Sequence, residues 1–133
     1  MSTLHSNPFL RNALLLDAAA TGATGLLLIG GAGLLEGLLG LPAGLMRSAG
    51  LVLIPFVAFV AWAGTREPAP QGAVALIIAV NVLWVVASVC LLLSGLVAPT
   101  LLGYAFVLAQ AVAVALFAEL QYVGLKRSGP LAA

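Results

Sequence analysis

The sequence predicts an all-α fold, a bundle of four antiparallel helices that span a membrane. Of its 133 residues, 63% are hydrophobic and 7% are charged, whereas soluble domains average about 45–50% apolar and about 25% charged residues. Four apolar stretches each approach the roughly 20 residues that a helix needs to cross a bilayer. None of them alternates strictly between apolar and polar residues, as a membrane-spanning β-strand does. Composition and span length therefore predict one membrane domain over residues 1–133.

The four predicted spans are separated by breaks of different character. The segment 36–48, EGLLGLPAGLMRS, contains three glycines and a proline but is largely apolar. We expect it to form an outer loop in the membrane interface, or to dip into the bilayer as a short re-entrant turn. The segment 65–71, TREPAPQ, is polar, and the segment 96–99 is short enough to predict a tight hairpin. The predicted spans are residues 13–35, 49–64, 72–95 and 100–123, with residue 44 as an alternative start of the second.

The distribution of basic residues predicts the orientation of the chain. With four spans, both termini and the middle loop lie on one side of the membrane. That side carries four bases, Arg11, Arg66, Lys126 and Arg127, and the other side carries Arg47. Because basic residues favour the cytoplasmic side, we expect both termini in the cytoplasm. Three aromatic residues fall near the same boundary, as interfacial belts require: Phe9, Trp62 and Tyr122.

Composition also excludes several classes of function. The net charge of +1 is too small for a nucleic-acid-binding protein, whose affinity depends on many phosphate contacts. The single cysteine, Cys90, excludes an intramolecular disulfide and any zinc site built from cysteines. No Cys, His or carboxylate cluster has metal-ligand spacing, so we expect no metal and no cofactor. Since little of the chain lies outside the bilayer, we expect no enzymatic activity.

Two acidic residues lie inside predicted spans, where charges are expensive and face protein or water. Asp17 lies about one turn inside span one, on the same face as Thr21 and Thr24, and Glu119 lies about one turn inside span four. At similar depth, the two carboxylates would form a proton- or cation-binding pair. Alternatively, each is an interfacial residue paired with a base, Asp17 with Arg11 and Glu119 with Lys126, Arg127 or Arg66. We favour this second interpretation.

A second polar group lies near the predicted midplane. Asn81 in span three and Gln110 in span four fall at similar height, which predicts an amide-to-amide hydrogen bond that fixes the register of the hairpin. Trp84 and Ser88 follow Asn81 at helical spacing, and a buried indole N–H requires a partner. This polar patch either holds the helices together or binds an apolar molecule with a polar head, such as a quinone or a lipid.

Small residues mark the surfaces where helices can approach closely. Gly22 and Gly25 flank the Asp17 face of span one, and alanines recur every four residues in span four, at Ala105, Ala109 and Ala113. We expect these residues to form helix contacts, either within the fold or between protomers of an oligomer.

Three segments carry a resemblance to known proteins: NPFLRNALLLDAAATGATGLLL, NVLWVVAS and VAVALFAELQYVGL. With them the chain resembles small four-span bacterial integral membrane proteins that have no assigned activity. The resemblance covers most of the chain and implies the four-span fold and a location in the bacterial inner membrane, and it transfers no site residues.

These observations leave three hypotheses for the function. The first is a non-enzymatic accessory or interaction subunit, or a self-associating bundle, whose partners are membrane lipid and either further copies or a larger membrane complex. The second is a small transporter or channel that uses Asp17 and Glu119 as a gate and Asn81 and Gln110 along its path. The third is a lipid or quinone binder built around Trp84, Ser88 and Gln110. A water-filled cavity would favour transport, and an apolar groove beside Trp84 would favour binding.

Overall fold

The computed structural model describes residues 8–128, and in this part of the chain every regular element is an α-helix. Four of the helices are long and apolar enough to cross a membrane, as the sequence predicts. The fifth is a short helix between the first two of them. The helices are α1 (Pro8–Gly30), α2 (Ala32–Leu39), α3 (Ala43–Thr65), α4 (Gln71–Ser94) and α5 (Leu101–Ser128).

The region predicted as the outer loop, residues 36–48, differs from the expectation. It is helical except at residues 40–42, because its first part belongs to α2 and its last part to α3. Gly40 ends α2 with φ at 71°, a left-handed conformation that glycine adopts without steric cost. The Glu36 carboxylate then accepts a hydrogen bond from the Ala43 N–H at 3.2 Å, which caps the start of α3. Leucine and alanine have high helix propensity, so the helical conformation of this segment is interrupted at residues 40–42 and is retained on either side.

The four long helices contact one another in the order α3, α1, α5 and α4. The helix α1 packs along α3, α4 packs along α5, and α1 joins the two pairs by packing on α5. By contrast, α3 and α4 make few contacts with each other. The bundle is therefore open on one side, where a cleft separates α3 from α4.

Glycines allow the closest helix approaches. On the α1–α3 side, a Cβ atom added to Gly50 would lie 2.8 Å from the Gly25 carbonyl oxygen, and one added to Gly22 would lie 3.5 Å from Val57 Cγ1. Gly22 and Gly25 thus contact α3, as expected for small residues in span one. On the α1–α5 side, a Cβ atom added to Gly124 would lie 2.8 Å from Leu10 Cα.

Thr100 joins the start of α5 to the end of α2. Its hydroxyl donates to the Leu38 carbonyl at 2.7 Å, and its backbone N–H donates to the Leu39 carbonyl at 2.9 Å. The same hydroxyl accepts from the Gly103 N–H at 3.1 Å, which is the hydrogen bond of a helix N-cap. One side chain therefore satisfies backbone groups at the ends of two helices.

The hydrophobic core is divided into two clusters along the bundle. One lies towards the start of α1 and includes Leu10, Leu14, Val60, Val74 and Ile77. The other lies towards α2 and includes Leu28, Leu39, Met46, Leu53 and Val107. The polar residues inside the helices occupy the region between these clusters, and this is where the candidate site lies.

Candidate functional site

A buried carboxylate forms the first of two polar networks between the helices. Asp17 on α1 is 0% exposed. Its Oδ2 accepts hydrogen bonds from Asn81 Nδ2 at 2.9 Å and from Gln121 Nε2 at 2.7 Å. Its Oδ1 accepts from the Thr21 hydroxyl at 2.7 Å. The network therefore connects α1 to both helices of the α4–α5 pair.

The three side chains at the centre of this network form a closed ring. Asn81, which is 3% exposed, also donates to Gln121 Oε1 at 3.0 Å, and Gln121 is 0% exposed. The three donors to the Asp17 carboxyl oxygens, the Thr21 hydroxyl and the Asn81 and Gln121 amides, are all neutral groups. Within residues 8–128, no buried side-chain nitrogen or oxygen lacks a partner. The network is thus fully satisfied without a positive charge.

Asp17 lies farther from the start of α1 than from residue 13, the start of the predicted first span. The helix α1 begins at Pro8, so Asp17 follows nine residues later, about 13 Å along the helix at about 1.5 Å per residue. Asn81 follows Gln71, the first residue of α4, by ten residues, about 15 Å along that helix. Asp17 is therefore embedded well inside the bundle.

Glu119 is exposed on α5 and takes no part in this network. The predicted Asp17–Glu119 pair is wrong, and so is the predicted Asp17–Arg11 ion pair, since the Asp17 carboxylate accepts from Thr21, Asn81 and Gln121 instead.

The bases proposed as partners of Glu119 lie over aromatic rings. Arg66 lies 5.8 Å from the Trp62 ring centroid, Lys126 lies 5.5 Å from that of Tyr122, and Arg127 lies 5.0 Å from that of Phe9. These cation–π contacts gather three predicted boundary aromatics and three bases at one end of the bundle.

Gln121 was missed by the sequence reasoning, although its spacing carries a signal. At about 100° per residue, a residue eleven positions from Gln110 lies about 20° from it, on the same helix face. A residue nine positions from Gln110, such as Glu119, lies about 180° away, on the opposite face. Once Gln110 faces the bundle, helix geometry turns Gln121 inward and Glu119 outward.

The second network lies in the other half of the polar region. The Trp84 indole Nε1 donates to Gln110 Oε1 at 2.9 Å. Gln110 Nε2 donates to Ser88 Oγ at 3.0 Å and to the Val107 carbonyl at 2.9 Å. The Ser88 hydroxyl donates to the Trp84 carbonyl at 2.8 Å. The predicted patch residues Trp84, Ser88 and Gln110 are therefore brought together.

The predicted hydrogen bond between Asn81 and Gln110 is wrong, because the two amides belong to different networks. Asn81 donates instead to Asp17 Oδ2 and to Gln121 Oε1. Gln110 is left to pair with Trp84 and Ser88 across the α4–α5 contact.

Two cavities adjoin these networks. The larger has a volume of about 390 Å³ and lies in the cleft between α3 and α4, which make few contacts with each other. The smaller has a volume of about 80 Å³ and lies beside Thr21 and Asn81. Both are lined by Thr24, Val52, Trp84 and Gln110, so they adjoin each other. The remaining lining of the larger cavity is Leu28, Leu41, Leu45, Met46, Ser48, Ala49, Ala87, Ser88, Leu91, Phe106 and Val107.

The larger cavity is an apolar groove with a polar wall. Aliphatic and aromatic side chains from four helices line most of it, and Trp84, Ser88 and Gln110 form its wall on the α4–α5 side. The lining residues Val52 on α3 and Ala87 on α4 are exposed. The groove is thus open between α3 and α4, at a level where both helices are apolar.

The alanine repeat of α5 is placed differently from the glycines of α1. Ala105 and Ala109 are exposed, so they form no close helix packing within the fold, and Ala113 lines the smaller cavity. Contact between protomers through this face stays a prediction. Within residues 8–128, no group of three or more His, Cys, Asp or Glu residues is placed to hold a metal ion.

The chain was compared with known proteins by sequence and by structure. No protein-family model, no curated protein and no solved structure matches it. The features of the chain that bear on its function are therefore the two networks and the groove.

Proposed function

We propose that this protein is a non-enzymatic membrane protein that binds one amphiphile, a molecule with a long apolar chain and a small polar group. The binding site is the groove between α3 and α4. The observation that carries the proposal is the network of Trp84, Ser88 and Gln110 in the wall of a cavity of about 390 Å³.

The size and lining of the groove support this proposal. Small-molecule pockets measure about 300–1,000 Å³, are mostly apolar, and hold a few convergent polar groups that orient the ligand. The groove has this volume, and its polar groups are clustered on one wall rather than scattered. A chain in contact with Leu28, Met46 and Phe106 would place its polar end beside Gln110.

The direction of the opening supports an amphiphile from the membrane. The helices α3 and α4 make few contacts, and the middle of each is apolar and faces outward. In a bilayer, hydrocarbon chains surround this opening, so a ligand already dissolved in the membrane reaches the groove from the side. The mechanism is capture and retention, with the apolar walls holding the chain and the polar wall orienting the head.

The placement of the protein in the membrane is part of the same proposal. We place it in the bacterial inner membrane as an antiparallel four-span bundle with both termini in the cytoplasm. The excess of bases at the ends of α1, α3 and α5 supports this orientation through the positive-inside rule. The three cation–π contacts at that end support an interfacial position there.

Mass spectrometry of the protein extracted into lipid nanodiscs tests the proposal. We expect a stoichiometric co-purified amphiphile in the wild type and its loss in Ala87→Phe, which fills the groove. Ala109→Phe is the matched control, because Ala109 is also an exposed alanine but lines neither cavity. Equal amphiphile content in both variants would contradict the proposal.

An interaction subunit or self-associating bundle is the second candidate. The exposed alanines Ala105 and Ala109 favour it, since small residues on a membrane-facing surface permit close helix contact. The same experiment separates the two functions. Ala109→Phe would disrupt a defined oligomer or partner complex and leave the amphiphile bound. Ala87→Phe would remove the amphiphile and leave the oligomer or complex intact. The transporter alternative loses the Asp17–Glu119 pair on which it depended.

A further inference from the structure

The polar wall of the groove has used all of its hydrogen-bond donors. Trp84 and Ser88 carry one donor hydrogen each and Gln110 carries two. The indole N–H goes to Gln110 Oε1, and the hydroxyl goes to the Trp84 carbonyl. The two amide hydrogens go to Ser88 Oγ and to the Val107 carbonyl.

The same wall keeps unused acceptors. An amide oxygen and a hydroxyl oxygen each have two lone pairs. Gln110 Oε1 accepts one hydrogen bond, from Trp84, and Ser88 Oγ accepts one, from Gln110. Each oxygen therefore has one lone pair left on a wall that lines the groove.

We infer that the groove selects an amphiphile whose polar group donates a hydrogen bond, a hydroxyl on a long apolar chain. This inference rests on the proposed function and names its ligand class. A hydroxyl donates to Gln110 Oε1 or Ser88 Oγ. A group that only accepts, such as the carbonyl of a quinone, an ether or an ester, finds no donor on this wall and gains no hydrogen bond there.

In the adjoining smaller cavity, the donors of the polar side chains Thr21, Thr24 and Asn81 are also used within the protein. The Thr21 hydroxyl donates to Asp17 Oδ1, and the Thr24 hydroxyl donates to the Ala20 carbonyl. Asn81 donates its two amide hydrogens to Asp17 and Gln121. The exception along the groove is Ser48, an exposed residue on α3 across from the polar wall. The selection for a ligand that donates a hydrogen bond is therefore a property of the α4–α5 wall and of the adjoining smaller cavity.

A matched pair of probes tests this inference. The first is a fatty alcohol brominated a few carbons from its hydroxyl, so that the bromine would lie near the polar wall, and the second is its methyl ether, which has the same chain and oxygen but no donor hydrogen. Bromine quenches Trp84 fluorescence at short range, and Trp62→Phe leaves Trp84 as the tryptophan that reports. The protein is used as the full chain in lipid nanodiscs, and Ala87→Phe in the same background measures quenching from outside the groove.

We expect the alcohol to quench at about three- to tenfold lower concentration than the ether, the effect of one hydrogen bond. Ser88→Ala sharpens the test, because it frees one Gln110 N–H to donate into the groove. In that variant we expect the ether to bind more tightly than in the wild type, so that the preference for the alcohol shrinks.

The other outcomes are distinguishable. If both probes quench equally and Ala87→Phe abolishes this quenching, the selection for a donor is overturned, whereas the amphiphile site still stands. Quenching that Ala87→Phe does not change would overturn both, since neither probe would then occupy the groove.

Discussion

Gln121 and Asp17 are separated by 104 residues in the chain, and Gln121 Nε2 donates to Asp17 Oδ2 at 2.7 Å. Both side chains are 0% exposed. With Asn81 they join α1 to the α4–α5 pair, between the two hydrophobic clusters. This contact holds the halves of the bundle together on one side while the cleft between α3 and α4 stays open on the other.

The Asp17 network predicts that hydrogen bonding, more than charge, sets the stability at this position. In Asp17→Leu the buried donors of Asn81 and Gln121 lose their acceptor. We expect the free energy of unfolding to fall by about 1–3 kcal/mol, the cost of unsatisfied buried groups. In Asp17→Asn one oxygen still accepts from both amides, and the new N–H₂ donates to the Thr21 hydroxyl, so the loss is smaller.

Unfolding midpoints in mild detergent measure this difference, with Glu119→Leu as the control at an exposed acid on α5. If Asp17→Asn and Asp17→Leu lower the midpoint equally, the negative charge rather than the hydrogen bonds stabilises the junction.

The contact between α1 and α5 predicts a strong effect at Gly124. A Cβ atom there would lie 2.8 Å from both the Cα and the Cβ atoms of Leu10. These atoms belong to the backbone or adjoin it and cannot rotate away, so we expect Gly124→Ala to destabilise by about 1–3 kcal/mol through overpacking. Gly72→Ala is the matched control in α4, where a Cβ atom would meet nothing within 4 Å. Unchanged unfolding of Gly124→Ala would show that the helices can separate there without cost.

Much of the fold follows from composition and periodicity. Each of the four long helices overlaps one of the four apolar stretches, because length and hydropathy determine which segments can span a bilayer. The first stretch was predicted to continue to residue 35, whereas α1 ends at Gly30 and the residues from Ala32 belong to α2. The helix α2 was not predicted, since Gly37, Gly40, Pro42 and Gly44 gave residues 36–48 the composition of a loop. The structure shows that around α2 the chain leaves the helical conformation at residue 31 and at residues 40–42.

The part of the candidate site that lies on a single helix face could be predicted from the sequence. Asn81, Trp84 and Ser88 share a face of α4 by spacing alone, and the structure places all three beside the cavities. Their partners across helices were not predictable, because similar height does not determine rotation. Gln121 lies close to the bases of α5 and was not predicted as a site residue. Its spacing from Gln110 nevertheless places it on the inward face of the helix.

The hydroxyl of Thr100 predicts a difference between two conservative substitutions. Thr100→Val keeps the shape of the side chain but removes the bond to the Leu38 carbonyl and the cap on Gly103. Loss of an N-cap costs about 0.5–2 kcal/mol. Thr100→Ser keeps the hydroxyl and is expected to retain most of the stability. Chemical unfolding of the two variants measures the contrast, and equal losses would assign the effect to the methyl group instead.

The proposed orientation predicts opposite labelling at two equivalent glycines. Gly44 and Gly72 are each the second residue of a long helix, α3 and α4, and a side chain at either meets nothing within 4 Å. In a Cys90→Ser background, we expect a membrane-impermeant maleimide to label Gly44→Cys in intact cells. Gly72→Cys should react only after the membrane is permeabilised, because the positive-inside rule places its end of α4 in the cytoplasm. The reverse pattern would invert the topology, and labelling of both sites in intact cells would show that α3 does not span the membrane.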